Sequence, residues 1–247
     1  MIARAVFTKA EEFLMPSFHY ESIIDLTHPI NLAIPVWPGD PAVVLFPLNH
    51  LEKDGFNLGG FTMGEHTGTH IGVAAHFHDN ETTLDKLLPS TLFRPCVVID
   101  VAKECEANAD FELTLDHLQQ WEKAHGNAPA GCILLLHTGW NRHFASEKYF
   151  GKDDSNGLHF PGFSLEATRF LIVHRNISGL GIDTAGIEPG KDSNFSCNKV
   201  LLHGQRIHIE NLTNLDQLPA VGAHLFIGAL PIEGATGSPA RVIALVP

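Results

Sequence analysis

The sequence predicts a single mixed α/β domain in which a sheet or barrel carries helices on its outside. The chain has 247 residues, of which 44% are hydrophobic and 18% charged. This is enough for one large α/β domain or two small ones. Because no repeat, low-complexity tract or linker divides the chain, one domain is the simplest interpretation. Helical patterns are too few for a doubly wound sheet, so a sheet or barrel with outer helices fits better.

The domain is expected to span residues 20–247, preceded by an N-terminal extension over residues 1–19. The extension carries Glu11 and Glu12 where a secretory signal peptide would be apolar. We interpret it as a tail or short helix that docks on the domain or on a second subunit.

Several segments have the apolar runs or the alternation typical of strands. The clearest buried strand is predicted at 131–137 (GCILLLH), and a second at 94–101 (RPCVVIDV). Pro47 interrupts the run at 42–48, which places that strand near an edge or an end. The predicted strands cover residues 21–28, 42–48, 56–63, 94–101, 131–137, 177–183, 205–210, 224–230 and 241–246.

Two segments have the spacing of amphipathic helices. Between residues 113 and 125, Leu115, Leu118 and Trp121 recur at helical intervals. The segment 164–175 begins with a serine that can cap a helix. These two segments are the predicted helices of the outer layer.

The remaining segments predict short turns and loops. Residues 83–88 predict a short helix, and residues 195–202 are ambiguous between a helical turn and a loop. The proline-rich residues 31–41 predict an ordered loop. Residues 141–162 predict a long irregular excursion, of a kind that often forms a lid or an interface.

Charge and cysteine usage exclude several classes of function. The formal net charge of -12 argues against a nucleic acid or an anionic membrane as partner, because both need a basic surface. No apolar stretch approaches the ~20 residues of a membrane span. The four cysteines lack CxxC spacing, which predicts reduced thiols in a cytoplasmic protein and no zinc ribbon.

The stretch from residue 64 to 78, GEHTGTHIGVAAHFH, concentrates the residues that carry chemistry. It holds His66, His70, His76 and His78, with small residues around the first two. Imidazole is the commonest protein ligand for zinc, and it titrates near neutral pH. The spacing of His66 and His70 aligns them on one face of a strand or of a helix, and the Gly and Thr content favours the strand. The stretch predicts a metal and acid/base site.

This stretch and others resemble the cyclase family of metal-dependent hydrolases, which includes bacterial kynurenine formamidases and isatin hydrolases. The family pattern is His-x-Gly-Thr-His-x-Asp-x-Pro-x-His, and here it stands as His66, Gly68, Thr69, His70, Gly72, Ala74 and His76. Other family landmarks are residues 25–29 (DLTHP), 37–41 (WPGDP), 138–140 (TGW), 160–162 (FPG), 181–184 (GIDT), 210–212 (ENL) and the tail 231–245. The resemblance implies a swivelling β/β/α fold with a central barrel-like sheet and outer helices, in a homodimer or homotetramer.

The resemblance also implies roles for individual residues. It assigns His66 and His70 to one metal and His76 to acid/base chemistry, and it matches Glu210 to a late metal ligand. The acid that would bridge two metals is replaced by Gly72. Without a bridging anion, two dications repel each other, so at most one divalent metal, zinc or manganese, is expected on His66, His70 and Glu210.

The resemblance implies that the second of the two metals has lost another ligand as well. Asn198 stands where the family has a histidine, and its carbonyl oxygen would be a weak ligand that suits manganese better than zinc. The alternative for His66 and His70 is a purely structural role, in which they form hydrogen bonds to nearby backbone groups.

Other residues receive weaker assignments. His78 and Asp183 are expected in supporting or structural positions, and Trp37 and Phe61 are candidates to line the substrate pocket. Three further histidines, His137, His203 and His208, are interpreted as core or surface residues.

Two functions remain open at this point. The first is hydrolysis of a small amide, lactam or ester, implied by the resemblance. The second is a metal-free family member, which binds a small molecule or uses His76 alone. The losses at Gly72 and Asn198 support the second.

Overall fold

Most of the predicted strands close into a barrel in the computed structural model, which describes residues 19–247. The fold class predicted from the sequence, a mixed α/β domain with a barrel-like sheet and outer helices, is confirmed. The predicted extension over residues 1–19 lies outside the described residues except for its last member, so it stays a prediction.

Short strands and few helices make up the described chain. The strands are β1 (Ser22–Asp25), β2 (Val44–Asn49), β3 (Leu58–Thr62), β4 (His70–Gly72), β5 (Phe93–Asp100), β6 (Glu112–Leu113), β7 (Ile133–His137), β8 (Gly162–Phe163), β9 (Gly179–Ile182), β10 (Ile207–Glu210), β11 (His224–Ala229) and β12 (Gly237–Val246). The α-helices are α1 (Leu51–Asp54), α2 (Ala102–Ala107), α3 (Leu115–His125), α4 (Leu165–Phe170) and α5 (Ser196–Leu201).

Seven strands form the closed ring, in the order β12, β11, β5, β7, β9, β10 and β4, and the pairing of β4 with β12 completes it. The consecutive strands β5, β7, β9 and β10 are parallel. The short strand β4 is antiparallel to both of its neighbours, β10 and β12. β4 therefore joins the two sides of the barrel, and the histidine motif lies at this junction.

Alternation along the ring strands divides their apolar side chains between two hydrophobic cores. In β7, Ile133 and Leu135 belong to the core inside the barrel, whereas Leu134 and Leu136 pack outward against the helices. All four side chains are fully buried. A strand that is covered on both faces reads as a continuous apolar run, which is why β7 was the clearest strand in the sequence.

The two predicted helices form, and the serine predicted to cap the second of them does so. Thr114 Oγ1 accepts the His117 backbone N–H to begin α3, and Ser164 Oγ accepts that of Ala167 to begin α4. The second helix continues from α4 into a π-helical turn at Leu171–Arg175. The ambiguous segment at 195–202 is helical, as α5.

A third apolar cluster holds the loops near the barrel mouth. It includes Tyr149 and Phe160 from the long irregular segment, Trp140 directly before it, and Ile34 from the proline-rich loop. The edge of Trp37 packs on the ring of Phe160, with centroids 6.4 Å apart. The long segment thereby fixes the loop that carries Trp37 to the site.

The described cysteines are all free and buried. Within residues 19–247, no helix has the length and apolar character that crossing a membrane requires.

Candidate metal centre

Two paired strands place the second motif histidine beside the late glutamate. In the antiparallel register of β4 and β10, His70 lies opposite Glu210, and Gly72 lies opposite His208. The isoleucines between these residues belong to the barrel core. Because side chains alternate along a strand, His70, His208 and Glu210 share the opposite face, outside the barrel interior.

His66 reaches this face from a turn. The prediction that His66 and His70 lie on one strand is wrong, because His66 lies in a turn and β4 begins only at His70. Gly68 makes the turn possible: its φ is +68°, and a Cβ there would come within 2.7 Å of Ile34 Cδ1. The His66 ring ends with its centroid 5.1 Å from that of His70.

Three imidazoles converge at this point. His66, His70 and His208 each offer a ring nitrogen, and these nitrogens all lie within 4.8 Å of one another. We call these three residues the histidine cluster. The interpretation of His208 as a core or surface histidine missed this role, because its buried ring faces the other two.

Hydrogen bonds identify the nitrogen that carries the proton in the first two rings. His70 Nδ1 donates to the carbonyl oxygen of Gly68 at 2.8 Å, so Nε2 keeps the lone pair. The Thr236 hydroxyl donates to Glu65 Oε2 at 2.9 Å, and it therefore accepts from His66 Nε2 at 3.0 Å. The lone pair of His66 is consequently on Nδ1.

An amide orients the third ring in the same way. Nδ1 of His208 donates to Oδ1 of Asn198, and Nδ2 of Asn198 donates to Glu188 Oε1 at 2.8 Å. Nε2 of His208 therefore carries the lone pair. His66 Nδ1, His70 Nε2 and His208 Nε2 are all buried without a hydrogen-bond partner.

These features fit a divalent metal. Buried nitrogens without partners are rare and costly, and a metal would satisfy all three. Burial lowers the pKa of His66, helped by the neighbouring imidazoles, and burial lowers the pKa of His208 to about 3. His66 and His208 are therefore neutral at pH 7, and the neutral imidazole is the form that binds metals. Gly72 and Gly237 leave room for the rings, since a Cβ at either position would collide with His208 or His66.

Glu210 adds a negative charge beside the cluster. Its Oε2 lies 3.3 Å from His70 Nε2, and its Oε1 accepts the Ile187 N–H at 3.2 Å. Burial raises the pKa of this carboxyl, whereas the positive charge that His208 or His70 carries when protonated lowers it, and the net pKa lies below its usual value. An ionised carboxylate beside imidazole nitrogens is a donor set that suits a dication.

His76 faces a cavity of about 260 Å³ that opens beside the cluster. Its ring stacks on that of His66, with centroids 3.8 Å apart. Desolvation by the surrounding protein lowers the pKa of His76, against the opposing attraction of Glu210. The cavity is lined by Trp37, Asp40, His66, His76, Phe77, Ala185, Gly186, Glu188, Phe195, Asn198, His208 and Glu210.

The two predicted pocket aromatics have different positions. Trp37 lines the cavity beside the cluster. Phe61 lies on β3 with 61% of its surface exposed and lines a separate cavity, so its place in the substrate pocket stays a prediction. Asn198 lines the cavity, but its amide is bonded to His208 and Glu188 and does not act as a free carbonyl donor.

His78 and Asp183 lie away from the cavity. His78 donates through Nε2 to the carbonyl oxygen of Lys199 at 2.9 Å and stacks on His203. Asp183 accepts the backbone N–H and the hydroxyl of Thr138, and burial raises its pKa. Both side chains serve the packing of neighbouring segments.

One overlooked residue did have a signal in the sequence. In the alternating run QRIHIE, His208 and Glu210 are two positions apart, so a strand presents them on one face. Glu188 had no such signal, because it lies in the irregular segment between β9 and α5.

Comparisons with known proteins agree with this geometry. A family model described as "Putative cyclase" matches residues 24–189. The chain is 34% identical to an isatin hydrolase of Roseibium aggregatum over 219 residues, which is 84% of this chain and 82% of that protein. It is 29% identical to a kynurenine formamidase of Bacillus thuringiensis subsp. konkukian over 222 residues, 89% of this chain and 95% of that protein.

Solved structures show the same fold. Isatin hydrolase A from Ralstonia solanacearum superimposes with a TM-score of 0.86 at 32% identity, covering 92% of each chain. Isatin hydrolase A from Labrenzia aggregata, bound to benzyl benzoate, gives 0.86 at 33% identity, covering 91% of this chain and 93% of that one. With its barrel, its histidine motif and these matches, the chain belongs to the cyclase family.

Proposed function

We propose that this chain is a metal-dependent hydrolase of a small amide, lactam or ester, using one divalent metal, zinc or manganese, with His76 as the acid/base. The observation that carries the proposal is the convergence of three unpartnered imidazole nitrogens beside a cavity that also holds His76. A metal-free binding protein would gain nothing from leaving these nitrogens unsatisfied.

The shape of the cavity supports a small aromatic substrate. Phe195 packs against both Trp37 and Phe77, with ring centroids 5.8 and 5.5 Å apart, so the three rings form a continuous apolar wall. A cavity of roughly 150 Å³ can hold benzene. The 260 Å³ cavity is therefore of a size for a bicyclic lactam or a substituted aryl formamide.

The chain's own groups position the reactants and move protons. When bound, a divalent metal supplies Lewis acidity toward water and a carbonyl oxygen. The neutral His76 borders the cavity from the side of His66, where it can take a proton from water and give it to the leaving nitrogen or oxygen. The aromatic wall holds the substrate ring and excludes water around the reacting carbonyl.

The names of the relatives support the substrate class. They include an isatin hydrolase and a kynurenine formamidase, and one solved isatin hydrolase is bound to the product analogue thioisatinate. Isatin is an aromatic lactam. We therefore propose an aromatic lactam or aryl formamide as the substrate.

Metal content and hydrolysis test the proposal together. Protein purified without chelator is expected to contain about one zinc or manganese per chain and to hydrolyse an aryl formamide or an aromatic lactam. Chelation should abolish both properties, and added metal should restore them. Folded protein that is metal-free, and that binds neither ion when it is added, would favour the metal-free alternative instead.

We also propose that two copies of the chain associate through the hairpin of β2 and β3. This hairpin is a separate two-stranded sheet beside the barrel, and such a pair is marginally stable in water unless something covers it. An apolar cavity of about 840 Å³ lies next to it. In a symmetric dimer, the hairpin of one copy and the cavity of the other could cover each other. The exposed apolar residues of the hairpin include Val44, Leu45, Phe46, Leu48, Leu51, Phe56, Leu58 and Phe61.

Light scattering after gel filtration tests this association. The wild-type chain of 27.0 kDa is expected to elute with twice that mass. The double variant Leu48→Lys and Leu58→Lys should elute as a monomer, because charges would be buried in an apolar contact. Val173→Lys is the matched control, since Val173 is 71% exposed and lies outside the hairpin. A monomeric wild-type protein at micromolar concentration would refute the association.

A further inference from the structure

A glycine and a histidine compete for the same space at the centre of the site. In the sheet register, Gly72 lies between His208 on β10 and Gly237 on β12. A Cβ built on Gly72 would overlap the ring of His208, and its first contact would be Nε2. A side chain at position 72 and this placement of the imidazole at 208 therefore exclude each other.

We infer that His208 supplies the third metal ligand from β10, in the space that a side chain at position 72 would fill, and that Asn198 is the residue that positions it. The inference rests on the proposed function, because it assigns a ligand to the metal proposed there. It goes further in two ways: it names a ligand that lies on β10, outside the histidine motif, and it predicts which of zinc and manganese the site prefers.

The position of the His208 ring supports its role as a ligand. The side chain is 2% exposed, and its Nε2 is buried with no hydrogen-bond partner. Its centroid lies 5.5 Å from that of His70 and 6.0 Å from that of His66, and the planes are close to perpendicular. Each of the three rings offers a nitrogen within 4.8 Å of the other two, so a single ion between them can contact all three.

Asn198 sets the tautomer of His208 through a fixed amide. Glu188 holds Asn198 twice: Oε2 accepts its backbone N–H at 2.9 Å, and Oε1 accepts Nδ2 at 2.8 Å. The amide cannot flip without losing the second bond, so its oxygen must face Nδ1 of His208. A carboxylate commonly orients a metal-binding histidine directly. Here an asparagine is inserted between the carboxylate and the imidazole.

The assignment predicts a preference among metals. The cluster offers three imidazole nitrogens and has one carboxylate, Glu210, beside it. Imidazole favours zinc, whereas carboxylate and carbonyl oxygens favour manganese. Position 72 is a glycine and supplies no carboxylate that could bridge to a second dication. The site is therefore expected to hold one ion and to prefer zinc to manganese.

Calorimetric titration of metal-free protein with zinc and with manganese tests the ligand and its positioning residue. Asn198→Ala is expected to weaken zinc binding by about 10- to 100-fold, the usual cost of losing an orienting partner. His208→Ala should weaken it by more than that. His203→Ala is the control, because it removes a partly exposed imidazole that stacks on His78 away from the cluster.

An exchange of ligands tests the competition for space. Gly72→Asp alone should displace His208 and lower zinc affinity. Gly72→Asp combined with His208→Ala removes the collision and supplies an oxygen ligand instead. The double variant is expected to regain metal binding and to show a lower ratio of zinc to manganese affinity than the wild type.

The outcomes separate this inference from the proposed function. If His208→Ala is folded and binds zinc as tightly as the wild type, His208 is not a ligand and the inference fails. The proposed function still stands in that case, provided that the wild type binds metal and hydrolyses the substrate. If His208→Ala does not fold, Asn198→Ala decides, and its unchanged zinc affinity would overturn the inference. A wild type that binds no metal would refute both.

Discussion

Replacing His70 with alanine is expected to remove bound metal and hydrolysis together. His70 is buried at the centre of the cluster, and its Nε2 faces both the other imidazoles and Glu210. Loss of one of three nitrogen ligands leaves too few donors to hold an ion tightly. Because a metal contributes several kcal/mol to such a reaction, we expect kcat/KM to fall by about 10³-fold or more.

The fold should survive this substitution. His70 Nδ1 donates to the carbonyl oxygen of Gly68 and lies 3.4 Å from Nδ2 of Asn211, and the same carbonyl oxygen also accepts Nδ2 of Asn211 at 2.9 Å. The turn therefore keeps one of its two bonds, and the free energy of unfolding should fall by about 1 kcal/mol for the lost bond. A thermal melt close to that of the wild type would confirm that the lost activity is not due to unfolding.

Elemental analysis and hydrolysis of an aryl formamide measure the effect. His78→Ala is a suitable control, because it removes a nearby imidazole, two residues after the motif, that bonds to Lys199 and lies outside the cavity. The control should keep metal and activity. Normal hydrolysis by metal-free His70→Ala would contradict the metal mechanism and support metal-free chemistry at His76.

The sequence predicted the fold well where burial is local. In β7 both faces are buried, Leu134 and Leu136 on one side and Ile133 and Leu135 on the other. The resulting apolar run predicts a buried strand without any information on which strands lie beside it. The closure of the barrel could not be predicted this way. It depends on β4, a strand of three residues whose pairing with β10 and β12 joins distant parts of the chain.

The site shows the same limit. His66, His70 and His76 lie within one short motif, so their proximity could be expected from the sequence. The orienting partners come from afar: Thr236 is 170 residues from His66. From the sequence alone, Gly72 indicates only that a metal ligand is missing. The register of β4 with β10 shows in addition that the ring of His208 occupies the space where a side chain at position 72 would lie.

Replacing His76 is expected to lower kcat while the metal remains bound. The residue borders the cavity and stacks on His66, but it is not among the three rings whose nitrogens converge. Loss of a general acid or base typically lowers the rate by about 10²- to 10⁴-fold. Elemental analysis of His76→Ala should still give the metal content of the wild type, in contrast to His70→Ala.

Two substitutions separate proton transfer from packing. His76→Phe keeps an aromatic ring that can stack on His66 but cannot carry a proton, whereas His76→Ala removes both properties. If His76 transfers protons, the two variants should lose rate to a similar extent. If the ring only supports His66, His76→Phe should be nearly as active as the wild type, and His76→Ala should also lose metal.

The leaving group provides the sharper measurement. An amide nitrogen must gain a proton before it departs, whereas a nitrophenolate leaves readily without one. If His76 donates this proton, His76→Phe should lower kcat much more for an aryl formamide than for a nitrophenyl ester of similar size. A deficit that remains with the ester would then measure the part that His76 plays in activating water. Equal losses on the two substrates would assign His76 to water activation alone, and no loss on either would exclude it from proton transfer.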